Sequence, residues 1–185
     1  MKKVLFILAA IWLAVLLRLT VFRDDCFSNG LFSGRIEWDA FAYYAKLVRV
    51  GYWRYFTYLF VGNLVWFMPV GALIRIREAQ RANGWQIAGA AGAGDADGRV
   101  PSLRHRSPRI QGGCLWKAAL WGFLLSLFVE TGQFVLGSGI SELDDLILNT
   151  VGAVLGYAAA CLWYKITKNT KSPIDKKPQD IDNRR

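Results

Sequence analysis

The sequence predicts an all-α polytopic membrane protein: a four-transmembrane-helix bundle with an interfacial aromatic helix on its outer surface. Three observations carry this reading. Apolar residues make up 54% of the 185 residues. They are gathered into four blocks, and basic residues cluster on alternate sides of those blocks. The blocks are residues 4–22, 56–74, 118–137 and 146–164, each 19 or 20 residues long. About 20 helical residues span a hydrocarbon core of about 30 Å. In lipid the backbone has to satisfy its own hydrogen bonds, so each block reads as a helix. Buried helices of a large soluble core are the weaker reading, because a chain this short cannot wrap four such helices.

The first block follows Lys2 and Lys3 and resembles the apolar core of a secretory signal. No small-x-small cleavage pattern follows it and Arg18 interrupts it, so it reads as an uncleaved first span. Between the first two blocks, residues 38–58 contain Phe41, Tyr43, Tyr44, Tyr52, Trp53, Tyr55, Phe56 and Tyr58. Aromatic side chains beside a span belong at the membrane interface, which predicts an amphipathic helix leading into the second span. An anchoring belt is the simpler reading of it; a lid over an outward-facing pocket is the functional one. The second and fourth blocks carry no charge and the third carries only Glu130. Gly137, Ser138 and Gly139 then favour a tight antiparallel hairpin between the third and fourth. Residues 78–112, with AGAAGAGDADG followed by an Arg- and Pro-rich stretch, read as a flexible loop. Residues 165–185 read as a basic, disordered tail, so the membrane domain covers residues 1–164.

Charge sets the expected orientation. Residues 75–114 carry seven Arg against three acids, and the tail from Lys165 carries seven bases against three acids. Residues 138–145 carry three acids and no base, and residues 23–55 are nearly balanced. Basic residues concentrate in cytoplasmic loops, so both termini are expected in the cytoplasm of a bacterial cell (plasma) membrane. Anionic lipid headgroups at that face account for the basic excess better than a nucleic acid does. Cys26, Cys114 and Cys161 fall at separate places in this topology and form no disulfide framework. The lone His105 sits in the Arg-rich loop, so the sequence implies neither a metal nor a cofactor.

Counting residues into each span gives the depth of the polar side chains. Arg18 lies roughly 21 Å and Glu130 roughly 20 Å from the cytoplasmic side, and Asn63 lies about 10 Å below the outer side, at 1.5 Å per residue. Asn149 is three residues into the fourth block. All four converge on the outer half of the membrane. Ser126, Glu130 and Gln133 share one face of the third span, and Asp145, Asn149, Gly152 and Gly156 share one face of the fourth. Gly152 and Gly156 allow another helix to approach closely, either within the chain or in an oligomer. Arg18 and Glu130 are each worth about 2.5–3.5 kcal/mol of insertion cost if unpaired, so an ion pair between them is expected.

Three functions fit this cluster. Arg18, Asn63, Glu130, Gln133, Asp145 and Asn149 are candidates to bind the headgroup of a lipid, a lipid-linked precursor or a lipoglycopeptide-like amphiphile at the outer face. Glu130 and Asp145 are alternative candidates for acid and base in an intramembrane enzyme acting on a lipid or cell-wall precursor. The same residues could instead form a purely structural polar network. A proton-coupled carrier is a further option that needs an oligomer. Asp144 reads as a charge that favours the start of the fourth helix.

Two motifs resemble a known family. Gly62-Asn63 followed by Phe67-Met68-Pro69-Val70-Gly71 is similar to the first VanZ-like motif. Glu130-x-x-Gln133 followed by Leu143-Asp144-Asp145-Leu146-Ile147-Leu148-Asn149-Thr150-x-Gly152 matches the second. Arg18 is similar to a basic residue near the end of that family's first helix. The resemblance implies an integral membrane protein of the bacterial envelope and a link to low-level resistance to the glycopeptide teicoplanin. It implies no particular reaction. The loop 75–114 is longer than in the family pattern, and residues 137–142 lack an Arg that many relatives carry there.

Overall fold

The computed structural model describes residues 2–23, 26–27, 30–92 and 115–170. Five helices and two short strands follow in order: α1 (Lys2–Thr20), β1 (Arg35–Glu37), α2 (Ala42–Val50), α3 (Trp53–Gly92), α4 (Leu115–Leu136), β2 (Ile140–Glu142) and α5 (Leu143–Thr170). Among the described residues four segments are long and apolar enough to cross a membrane: Lys3–Thr20, Trp53–Arg81, Leu115–Leu136 and Leu143–Thr167. Large side chains such as Phe6, Phe128 and Trp163 stand exposed on their outer faces. That pattern suits helices solvated by lipid, which leaves most of the apolar surface outward.

The core of the bundle is the pair α3 and α5, with α4 packed mainly on α5 and α1 at the periphery. Glycine makes the central pair possible. A Cβ on Gly152 would run into the Leu64 carbonyl, and one on Gly156 into that of Met68. The small face of α5 is therefore filled by α3 of the same chain. Of the two close approaches these glycines allow, within the chain or in an oligomer, the one seen is within the chain. Pro69 sits inside α3 without ending it, as prolines in membrane helices do when neighbouring helices satisfy the freed backbone groups.

The chain between α1 and α2 folds over the end of α4. Backbone N–H groups of Phe27, Phe32 and Gly34 donate to the carbonyls of Leu136, Val135 and Phe134 at 3.0, 2.8 and 3.2 Å. The last carbonyls of a helix have no partner within it, and here the loop supplies them. The same loop places β1 parallel to β2, with Arg35 opposite Ile140, Ile36 opposite Ser141 and Glu37 opposite Glu142.

The expected aromatic helix leading into the second span is α2, bounded by Phe41 and Gly51 in the left-handed region (φ 61° and 84°) before α3 begins. Its buried Tyr44 packs edge-on against Phe56 and Phe60 at 5.8 and 5.9 Å. The loop predicted from residue 78 is helical as far as Gly92, because Ala, Glu, Gln and Arg sustain a helix in water as well as in lipid. For the same reason α5 continues to Thr170 into the predicted tail. Residues 93–112 and 171–185, with His105, lie outside the described residues, as does Cys114.

Candidate functional site

The polar residues gather at the end of the bundle where α4 finishes and α5 starts, joined by three hydrogen-bonded ties. The first joins α3 to α5: the Asn63 Nδ2 donates to Asp145 Oδ1, and also reaches the Tyr44 hydroxyl at 3.4 Å. The second joins α5 to α4: Asn149 Nδ2 donates to Ser126 Oγ at 2.9 Å. The third joins α4 to β2: the Glu142 backbone N–H donates to Glu130 Oε2 at 3.0 Å, and Ser141 Oγ donates to the Glu130 carbonyl at 2.6 Å. Burial is nearly complete at Ser126, Glu130, Asp144 and Asn149. Polar groups so placed need partners, and Asn149 Oδ1 and Ser138 Oγ are buried with none among the described residues.

Asn63, Glu130, Asp145 and Asn149 thus come to one end of the bundle. Gln133 acts elsewhere: its Nε2 reaches the Thr20 carbonyl at 3.3 Å and ties α4 to α1. Arg18 is exposed at the end of α1 and donates to the Phe22 carbonyl. The expected ion pair is not formed, since Glu130 is held by the β2 backbone instead. The reason is topological: β2 folds back across α4 and brings peptide N–H groups to the carboxyl.

Beside these ties lies a cavity of about 210 Å³. Glu37, Glu130, Ser141 and Glu142 line it together with apolar walls that include Trp38 and Phe134. Among the described residues no basic residue lines it, and neither do Asp145 and Asn149. The parallel register sets Glu37 directly opposite Glu142, a like-charge pairing that is unfavourable when both are ionised. Burial, then Asp145, Asp144 and Glu37, push the Glu142 carboxyl up to about 7. Burial, then Asp145 and Asp144, likewise raise the Tyr44 phenol, which stays protonated beside Asn63. No group of three His, Cys, Asp or Glu among the described residues is arranged to hold a metal ion.

Sequence reasoning missed Tyr44, Glu37, Trp38, Ser141 and Glu142. Glu142 had a signal, as the third acid of an acid-only stretch. Glu37 had none, because its place depends on a strand pairing across about a hundred residues of sequence. Asp144 proves more deeply buried, at 4% exposure, than a charge serving only the helix start.

A helical bundle that spans the membrane four times, with a carboxyl-lined cavity under its loops, defines a polytopic membrane protein with a polar site at one end. The chain belongs to the VanZ/LLP1 family, whose sequence profile matches residues 4–164. That match covers all four spans and both motifs. No curated protein and no solved structure matches the chain.

Proposed function

We propose that this VanZ/LLP1 family protein binds the polar head of an amphiphile in the cavity between α4, α5 and the two strands. One observation carries the reading: three carboxyl groups and a serine hydroxyl share a small cavity with apolar walls and no base. A head bearing an amine or several hydroxyls satisfies those carboxyls, and its tail lies against the lipid-facing wall. The Glu37–Glu142 pairing supports an amine, because a cation placed between two carboxyls removes their repulsion.

The charge distribution supports an orientation with both termini in the cytoplasm of a bacterial cell membrane and the cavity at the outer face. Lipids, lipid-linked cell-wall precursors and lipoglycopeptides are the amphiphiles met there, and protection against a teicoplanin-type compound is the phenotype this reading favours. Asn63, Asp145 and Asn149 then serve the site by fixing the helices around it. The acid/base reading is less favoured, because Glu130 lines the cavity and Asp145 does not.

The test compares wild type, Glu130→Gln and Asn149→Ala in a bacterium lacking the gene, reading lipoglycopeptide susceptibility and membrane abundance together. Glu130→Gln keeps an acceptor for the Glu142 N–H while removing the acid. The expected result is loss of protection at normal abundance for Glu130→Gln. Protection retained at normal abundance contradicts the proposal. Disappearance of Glu130→Gln from the membrane makes the cluster a packing network instead.

A further inference from the structure

The opposite end of the bundle, where α1 begins and α5 ends, holds a larger cavity of about 990 Å³. It exists because α1 stands away from α3 and α5, and its walls are mostly apolar, including Leu8, Met68, Leu73 and Ala160. Its charged wall residue is Arg75, which is only 8% exposed. Its Nε donates to Cys161 Sγ at 3.2 Å, and its guanidinium lies 5.0 Å from the centre of the Tyr164 ring. Among the described residues no carboxylate pairs with it. The acid one turn along α3, Glu78, is taken up by Lys117 at 3.5 Å and by the Tyr157 hydroxyl at 2.9 Å.

A thiol and a ring face do not neutralise a buried guanidinium, whose burial is costly without an anion. Trp12, on the α1 wall of the same cavity, has a buried indole N–H that also lacks a partner. Arg75 lies 22 residues into α3, roughly 33 Å along the helix, which puts it at the far boundary of a hydrocarbon core of about 30 Å. Exposed Arg77 and Arg81 follow it on α3, and exposed Lys165 follows Tyr164 on α5. Among the described residues no acid lines the groove. At that depth the available anion is a lipid phosphate, and the basic surroundings favour a headgroup with net negative charge.

We propose that this groove binds an anionic glycerophospholipid of the leaflet at the basic end, with its acyl chains against the apolar walls and its phosphate on Arg75. The site is separate from the carboxyl-lined cavity and does not depend on what that cavity binds.

The full chain, purified in detergent, is examined by native mass spectrometry and thermal melting with added dioleoyl phosphatidylglycerol or dioleoyl phosphatidylcholine. Wild type is expected to retain phosphatidylglycerol in about fivefold preference and to gain more in Tm from it. Arg75→Gln abolishes the preference, whereas the exposed Arg77→Gln keeps most of it. Ala160→Phe, which fills the groove without touching the charge, lowers retention of phosphatidylglycerol. Equal retention of the two lipids by wild type overturns the proposal, even if Arg75→Gln does not fold. So does an undiminished preference in Arg75→Gln.

Discussion

Glu142 sits where carboxyl groups from β1, α4 and α5 come together, and its protonation is linked to how the site is held. Its value is raised to about 7, with burial the largest cause and the neighbouring acids adding to it. The folded protein therefore holds this proton more tightly than the unfolded chain does. The stabilisation is fully present below the ordinary carboxyl range and is lost as pH rises through about 7. Melting of purified protein across pH 5 to 8 should show stability falling with pH, and Glu142→Gln should flatten that fall. An unchanged slope in the variant would remove Glu142 from the account. Asn149 makes a different prediction. Its Nδ2 ties α5 to Ser126 while its Oδ1 has no partner, and interhelical side-chain bonds in membranes average only about 0.6 kcal/mol. Asn149→Ala should lower Tm slightly and leave amphiphile binding in place, as measured by melting and ligand titration of the same sample. Much of this site was legible residue by residue. Depth counting brought Asn63, Glu130 and Asn149 to one level because a helix converts sequence distance into depth. The same counting could not pair Glu130 with its partner, since that partner is a peptide N–H of a folded-back strand.

Helix α5 lies close on α3 at two glycines, where a Cβ would meet the carbonyls of Leu64 and Met68. Adding a methyl group at either place forces the helices apart. Gly156→Ala should destabilise the bundle by about 1–3 kcal/mol, the usual scale of overpacking in a filled interior. Gly62 on α3 is the control, because a Cβ there meets nothing within 4 Å. Gly62→Ala should be neutral or stabilising by about 0.5–1 kcal/mol, since alanine is the better helix former. Thermal melts of both variants check this pair, and equal losses would show that the glycines do not set the helix spacing. The existence of the four spans followed from hydropathy, which reports where lipid begins and ends. It does not report where a helix ends, so α3 and α5 outrun the spans they contain. The three-residue strands β1 and β2 are shorter than any periodic pattern that could announce them.

The whole molecule is polarised, with an acid-rich end carrying β1, β2 and the small cavity, and a basic end carrying Arg75, Lys117 and the large one. This asymmetry underlies the proposed orientation, and labelling intact cells tests it. In a background without other cysteines, a membrane-impermeant maleimide should react with Cys26 from outside, and with Thr167→Cys only after permeabilisation. The reverse pattern would place the carboxyl-lined cavity inside the cell and end the link to extracellular amphiphiles. The most direct measurement of the central claim is binding of a lipoglycopeptide to wild type and Glu130→Gln in nanodiscs. The account predicts saturable binding to wild type, weakened about tenfold or more in Glu130→Gln, a difference of about 1.4 kcal/mol. Equal affinity for the two proteins, or no binding to wild type, would contradict it.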